Sequence, residues 1–430
     1  MKNNQNIKNA VYCGIIFLSA LIVLSVCLLC GCASGENTTA TAEAVTEETA
    51  TQPTTEEPCR LLLDSMTLEQ KAGQTVVCGL EGTETDDGLK SLIQDKNIGG
   101  VILFSKNIES AEQFCQLTNS IKEISYYNYP PLIAADYEGG RVTRFPEEIA
   151  DMPDAYTFSL AQDNELCFEE GELMGEQLNA FGISTGFSPV FDIWSNPDNT
   201  VIADRAYGTT AEQVDQYAVS VMKGLQSKGV IAVGKHFPGH GDTSEDSHYS
   251  LPVINKSLEE LESLELLPFS EAIKNNVAGI MVGHLLCSQI DSENPASLSK
   301  AIVTDLLKNK MGFGGVVFTD DLTMEAVAGM YSSGEASVKA INAGCDMLLV
   351  CHGYENAENA VDSIVNAVKS GEIAEERLDD AVYKILRMKR DWNVNVDALS
   401  RPDIERINQS VNELIEKIDS KAQSKLNAGG

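Results

Sequence analysis

Histidine is scarce in this chain, five residues in 430. Yet three of the five fall in one short stretch, "KHFPGHGDTSEDSH", Lys235 to His248. Basic residues are also few: 31 Lys and Arg stand against 64 Asp and Glu, a formal net charge of −33. Direct nucleic-acid binding needs clustered cations to neutralise phosphates and is excluded. The acidic balance serves solubility. Beyond Cys32 the cysteines are Cys59, Cys78, Cys115, Cys167, Cys287, Cys345 and Cys351. Their number is odd and their spacing loose, so they form no disulfide framework. This part of the chain has no CxxC pair, which removes the usual structural zinc site. A dinucleotide fingerprint is missing too, because "CGLEGTETDDG" after the first apolar run does not give GxGxxG.

Long apolar runs are absent except at the N-terminus. Lys2 and Lys8 precede "VYCGIIFLSALIVLSVCLLCGC", Val11 to Cys32. A basic flank followed by an apolar core reads as an export signal. Its end, "LCGC", resembles the lipobox of bacterial lipoproteins, with Leu29 at −3, Gly31 at −1 and Cys32 as the lipidated residue. Cys30 at −2 departs from that pattern. The run is also long enough to span a bilayer as an uncleaved anchor. Either reading places the rest of the chain outside the cytoplasm, tied to the membrane. Residues 33–58 are rich in Thr, Glu and Ala and hold no basic residue. They cannot bury enough apolar surface to offset chain entropy and are expected to form a disordered tether.

From residue 70 onward, short apolar runs alternate with amphipathic stretches. The strand candidates span 75–80, 99–104, 131–137, 184–192, 229–237, 277–284, 314–321 and 345–351. Most are continuous apolar runs, the pattern of strands buried on both faces. Eight strands alternating with helices predict a (β/α)8 TIM barrel over residues 59–395. An open doubly wound sheet is the structural rival. Residues 396–430 predict a C-terminal helix and tail, with Ile404, Ile407, Val411, Leu414 and Ile418 on one stripe. That stripe packs on the barrel exterior or meets a second copy.

A barrel collects its site at the C-terminal ends of its strands. The polar residues fall there. Asp136, Glu138, Arg141 and Arg144 follow the third run, and Asp192, Asp204 and Arg205 the fourth. Lys235 and His236 end the fifth, His284 the sixth, and Asp320 and Asp321 the seventh. Charges at the exits of five buried strands point jointly to a site. A zinc site on His236, His240 and His248 is disfavoured. Pro238 and two glycines oppose a helix there, and no recognised ligand spacing accompanies the histidines. In "DSH", Asp246 stands two residues from His248 and can fix its tautomer and raise its basicity. Such a histidine exchanges protons near neutral pH.

"KHFPGHGDTSEDSH" resembles the signature of family 3 glycoside hydrolases, in the β-N-acetylhexosaminidase branch, K-H-[FI]-P-G-x-G-x4-D-[ST]-H. Every defined position is met. The likeness extends over residues 60–390 through "DYEGGRVTRF", "DRAYG", "MVGH" and "VVFTDDLTM". It implies Asp320 as nucleophile, His248 as acid/base and Asp246 as the partner of His248. It also implies Asp136, Arg144, Arg205, Lys235 and His236 as sugar-binding residues, and no metal or other cofactor. The activity implied is retaining exo-hydrolysis of terminal β-linked GlcNAc from glycans, with peptidoglycan fragments (muropeptides) as the leading substrates. The alternatives are a GlcNAc phosphorylase and a non-catalytic, lipid-anchored glycan-binding protein. Strand alternation points Asp321 away from Asp320.

Overall fold

The structure, a computed structural model, describes residues 57–126, 128–243 and 251–428. The export signal with Cys32, nearly all of the tether, and the loop positions Asp246 and His248 lie outside the described residues. Eight parallel strands close into a barrel: β1 Val76–Gly79, β2 Gly100–Leu103, β3 Leu132–Ala135, β4 Thr185–Gly186, β5 Ile231–Phe237, β6 Gly279–Val282, β7 Val316–Asp321 and β8 Met347–Val350. Each neighbours its successor in sequence, and β8 pairs with β1. A helix follows each strand in turn: α1 Asp87–Gln94, α2 Ala111–Glu123, α3 Asn164–Ala180, α4 Ala211–Ser227, α5 Leu266–Lys274, the π-type segment α6 Ala301–Lys310, α7 Ser333–Ala343 and α8 Tyr354–Ser370. This is the (β/α)8 architecture that the alternating runs predict.

Local chemistry starts these helices where the loops end. Asp86, Ser110, Asp163 and Thr210 each accept a backbone N–H at the first turn of α1, α2, α3 and α4. The barrel interior is filled by Val77, Ile102, Phe187, Val233, Met281 and Phe318 among others. A further helix, α9 Glu375–Asp391, adds Ile385 and Met388 to that filling. The other faces of the strands pack against the helix ring in a larger cluster.

The fourth strand is shorter than the expected 184–192. Its ladder covers Thr185–Gly186 and returns only as a single bridge, Val190 to Lys235. Pro189 has no N–H to give to a ladder. The backbone still tracks β5, because Phe191 N donates to Lys235 O at 2.6 Å and Lys235 N to Pro189 O at 3.2 Å. That contact sets Asp192 beside His236.

The last helix, α10 Ile404–Ala428, buries Ile407, Val411, Leu414 and Ile418. It packs on α3 and on the short helix Ala155–Ala161, so the stripe covers the barrel exterior. Among the described residues, no helix is long and apolar enough to cross a membrane. The seven cysteines from Cys59 to Cys351 are buried free thiols.

Candidate active site

The C-terminal ends of the strands surround a cavity of about 470 Å³. Its polar wall begins with a lysine. Lys235, near the end of β5, is 2 % exposed. Its Nζ lies 2.8 Å from Asp136 Oδ1 and 2.6 Å from Glu138 Oε1. A buried ammonium requires such partners, since burial alone costs far more than one exposed contact returns. Asp136 and Glu138 alternate with Tyr137 just after β3, so both carboxylates turn inward while the tyrosine turns out. Arg144 Nη2 meets the second oxygen of Asp136 at 3.0 Å. Arg205 grips Glu138 with a fork, Nε at 2.7 Å and Nη2 at 2.8 Å. The result is a continuous ladder, Arg144–Asp136–Lys235–Glu138–Arg205.

Burial pushes the Asp136 and Glu138 carboxyls upward, but the adjoining cations outweigh it and hold both well below the ordinary range. Burial lowers Lys235, and the two carboxylates more than restore it, so the ammonium stays charged.

His236 also lines the cavity, although it neighbours Lys235 in sequence. A regular strand would send the two to opposite faces. Here the pairing of β5 with β6 shifts register between Gly234 and Phe237, which re-aims one side chain. His236 Nδ1 lies 2.6 Å from Asp192 Oδ2, an atom that can only accept, so Nδ1 carries the proton. Nε2 has no protein partner among the described residues. Asp192 also receives the backbone N–H of His240 at 2.6 Å, pinning the start of the loop after β5. Burial raises Asp192, and His236 together with His240 and its N–H overrides it to a net depression.

Asp320 stands across the cavity on β7. One of its oxygens accepts the Asp321 N–H at 2.8 Å, and the other has no protein partner among the described residues. Burial raises its carboxyl, but His284, His236, the Asp321 N–H and Lys235 together hold it below the usual value. It is therefore an anion at neutral pH. Asp321 borders the same cavity, contrary to strict alternation, because the pairing of β7 with β8 slips between Met347 and Leu349. Its oxygens are occupied, however. Oδ1 accepts Thr323 N at 2.9 Å and Cys351 N at 3.0 Å, and the Thr323 hydroxyl lies 2.7 Å from both Oδ1 and Oδ2. Of the adjacent pair, only Asp320 keeps a carboxylate oxygen free. Buried His284 props this corner, with Nε2 2.9 Å from the Asp321 carbonyl and Nδ1 2.7 Å from Ser297 Oγ.

Residues 67–388 match the family described as "Glycosyl hydrolase family 3 N terminal domain". The chain belongs to glycosyl hydrolase family 3. A beta-hexosaminidase from Tolumonas auensis is 39% identical over 292 residues, which are 67% of this chain and 85% of that one. A beta-hexosaminidase from Methylococcus capsulatus is 40% identical over 277 residues, 63% of this chain and 81% of that one. Among solved structures, a family 3 beta-N-acetylglucosaminidase from Paenibacillus sp. str. FPU-7 superposes with a TM-score of 0.79 at 39% identity. The match covers 83% of this chain and 69% of that one.

Within this family 3 barrel, all six described residues to which the family resemblance gives a role line one cavity: Asp136, Arg144, Arg205, Lys235, His236 and Asp320. Asp246 and His248 fall outside the described residues, three and five positions past Thr243. Three structural partners carried no assigned role in the sequence reading: Glu138, Asp192 and His284. A signal for Glu138 was present. A lysine at the exit of a buried strand demands carboxylates, and "DYEGG" supplies two on one side of an extended segment.

Proposed function

We propose that this family 3 glycoside hydrolase, of the β-N-acetylhexosaminidase type, is a retaining exo-β-N-acetylglucosaminidase. The observation that carries the reading is Asp320: a half-buried carboxylate, held ionised, with one oxygen free of protein partners among the described residues and facing the ladder that ends on Arg205. In the first step an Asp320 oxygen bonds to the anomeric carbon as the glycosidic C–O bond breaks. His248, oriented by Asp246, gives its proton to the leaving oxygen. In the second step His248 takes a proton from water, the water oxygen bonds to the same carbon, and Asp320 leaves. Two inversions restore the starting configuration. Asp136, Lys235 and the free Nε2 of His236 suit sugar hydroxyls, which both donate and accept. Arg144 and Arg205 hold the two carboxylates in place at either end. The names of the relatives support GlcNAc as the sugar. The export signal and lipobox-like "LCGC" support a lipoprotein tethered outside the cytoplasm, with peptidoglycan fragments as the leading GlcNAc-terminated substrates.

The test is hydrolysis of nitrophenyl β-GlcNAc beside the β-GalNAc and β-glucose analogues, with and without phosphate. We expect free GlcNAc as product, unaffected by phosphate. Asp320→Ala should lose at least about a thousandfold in kcat. His248→Ala should lose roughly 10²–10⁴-fold on a natural, poorly leaving aglycone and far less on nitrophenol. Release of GlcNAc 1-phosphate, or turnover of none of the three substrates, would overturn the reading.

A further inference from the structure

The cavity has a second wall that the mechanism above leaves idle. At the exits of β2 and β8, the Phe104 and His352 rings stack with centroids 5.6 Å apart and planes 25° from parallel. β1 lies between these two strands in the barrel. Arg144 sits over the Phe104 ring as well, 5.7 Å from its centroid. His352 Nε2 is 3.7 Å from Asp321 Oδ2, and its carbonyl accepts Asn356 Nδ2 at 2.9 Å, so ring and backbone are both braced.

Depth separates this wall from the charged one. The Lys235 and Glu138 side chains are 3% exposed, whereas that of His352 is 57% exposed. An exo-acting pocket takes the terminal sugar at its closed end, and the remainder of the glycan must leave through the opening. His352 is the exposed ring of that opening among the described residues. We infer that His352, backed by Phe104, is the platform on which the leaving-group sugar lays the C–H face of its ring. Aromatic faces attract such partners with modest energy and a defined orientation. The inference rests on the exo-glucosaminidase reading and adds a specificity-determining residue to it.

The experiment compares full-length wild type, His352→Ala and His352→Tyr on two substrates. One is the β-1,4-linked GlcNAc disaccharide. The other is GlcNAc β-fluoride, whose leaving group has no ring. His352→Ala should lose about three- to tenfold in kcat/KM on the disaccharide and less than about twofold on the fluoride. His352→Tyr should keep most of the disaccharide activity. Equal losses on both substrates, or no loss on the disaccharide, overturn the platform. Wild type inactive on both would count against the enzymatic reading. Disaccharide binding by wild type and His352→Ala, measured by calorimetry, would then still decide the platform, which fails if the two bind equally.

Discussion

Glu138 shows how much one side chain can hold. It is 4 % exposed and lies between two cations, Lys235 and Arg205. Removing the charge of a buried partner leaves the others uncompensated, which costs about 3–5 kcal/mol. An exposed pair of similar geometry contributes about 0–1 kcal/mol. Arg141 and Asp204 form such a pair at 2.9 Å, each nearly half exposed. Glu138→Gln should therefore lower the melting temperature sharply and raise KM, while Asp204→Asn should change melting little. Thermal unfolding of the two variants side by side checks this, and equal shifts would refute it. That Lys235 needs a carboxylate was legible from its residue type and place alone. That Glu138 also serves Arg205 was not, because the fork depends on how two distant loops meet.

At the scale of elements, α3 ties down both loops that carry the ladder. Gln177 Oε1 accepts Tyr137 Oη at 2.6 Å, and Tyr137 separates Asp136 from Glu138. One heptad earlier, Glu170 Oε1 accepts Tyr207 Oη at 2.9 Å, two residues after Arg205. Residues seven apart share a helix face. Glu and Gln are mostly exposed residue types, yet Glu170 and Gln177 are both buried. The eight strands were legible because continuous apolar runs need no partner to be recognised. The polar inner face of α3 and the register shifts of β5 and β7 are set by tertiary contacts, and no local periodicity reports them. Burial pushes the Glu170 carboxyl well above its ordinary range, so the folded protein holds it neutral. A carboxyl raised in this way favours folding at pH below its unfolded value and loses that contribution as pH rises. Glu170→Gln mimics the neutral form. It should keep kcat/KM and gain melting temperature relative to wild type as pH is raised from 5 to 8. Glu170→Leu leaves Tyr207 Oη without its acceptor and should lower kcat/KM. A Gln variant as impaired as the Leu variant would show that Glu170 does not act through Tyr207.

For the molecule as a whole, the opposite end of the barrel adds a pH dependence of stability with the opposite sign to that of Glu170. Lys389 on α9 is 4 % exposed, and its Nζ meets Gln74 Oε1 at 2.8 Å, with no carboxylate partner in the described structure. Gln74 is itself held by donating to the Asn97 carbonyl at 2.7 Å. Burial pulls the amine down to about 7, against roughly 10.4 for an unfolded lysine. Below pH 7 both states carry the proton, and the cost of burying the charge is paid in full. Between about 7 and 10 the folded state releases the proton while the unfolded state keeps it, so stability rises with pH. Lys389→Met abolishes this term. It also leaves Gln74 Oε1 without a donor, a cost of about 1–3 kcal/mol that does not vary with pH. Self-repulsion from the net charge of −33 grows with pH in both proteins and cancels in their difference. The melting temperature of wild type minus that of Lys389→Met should therefore climb steadily from pH 7 to 9.5. Two parallel curves over that window would mean that the folded protein keeps Lys389 charged in its apolar surroundings.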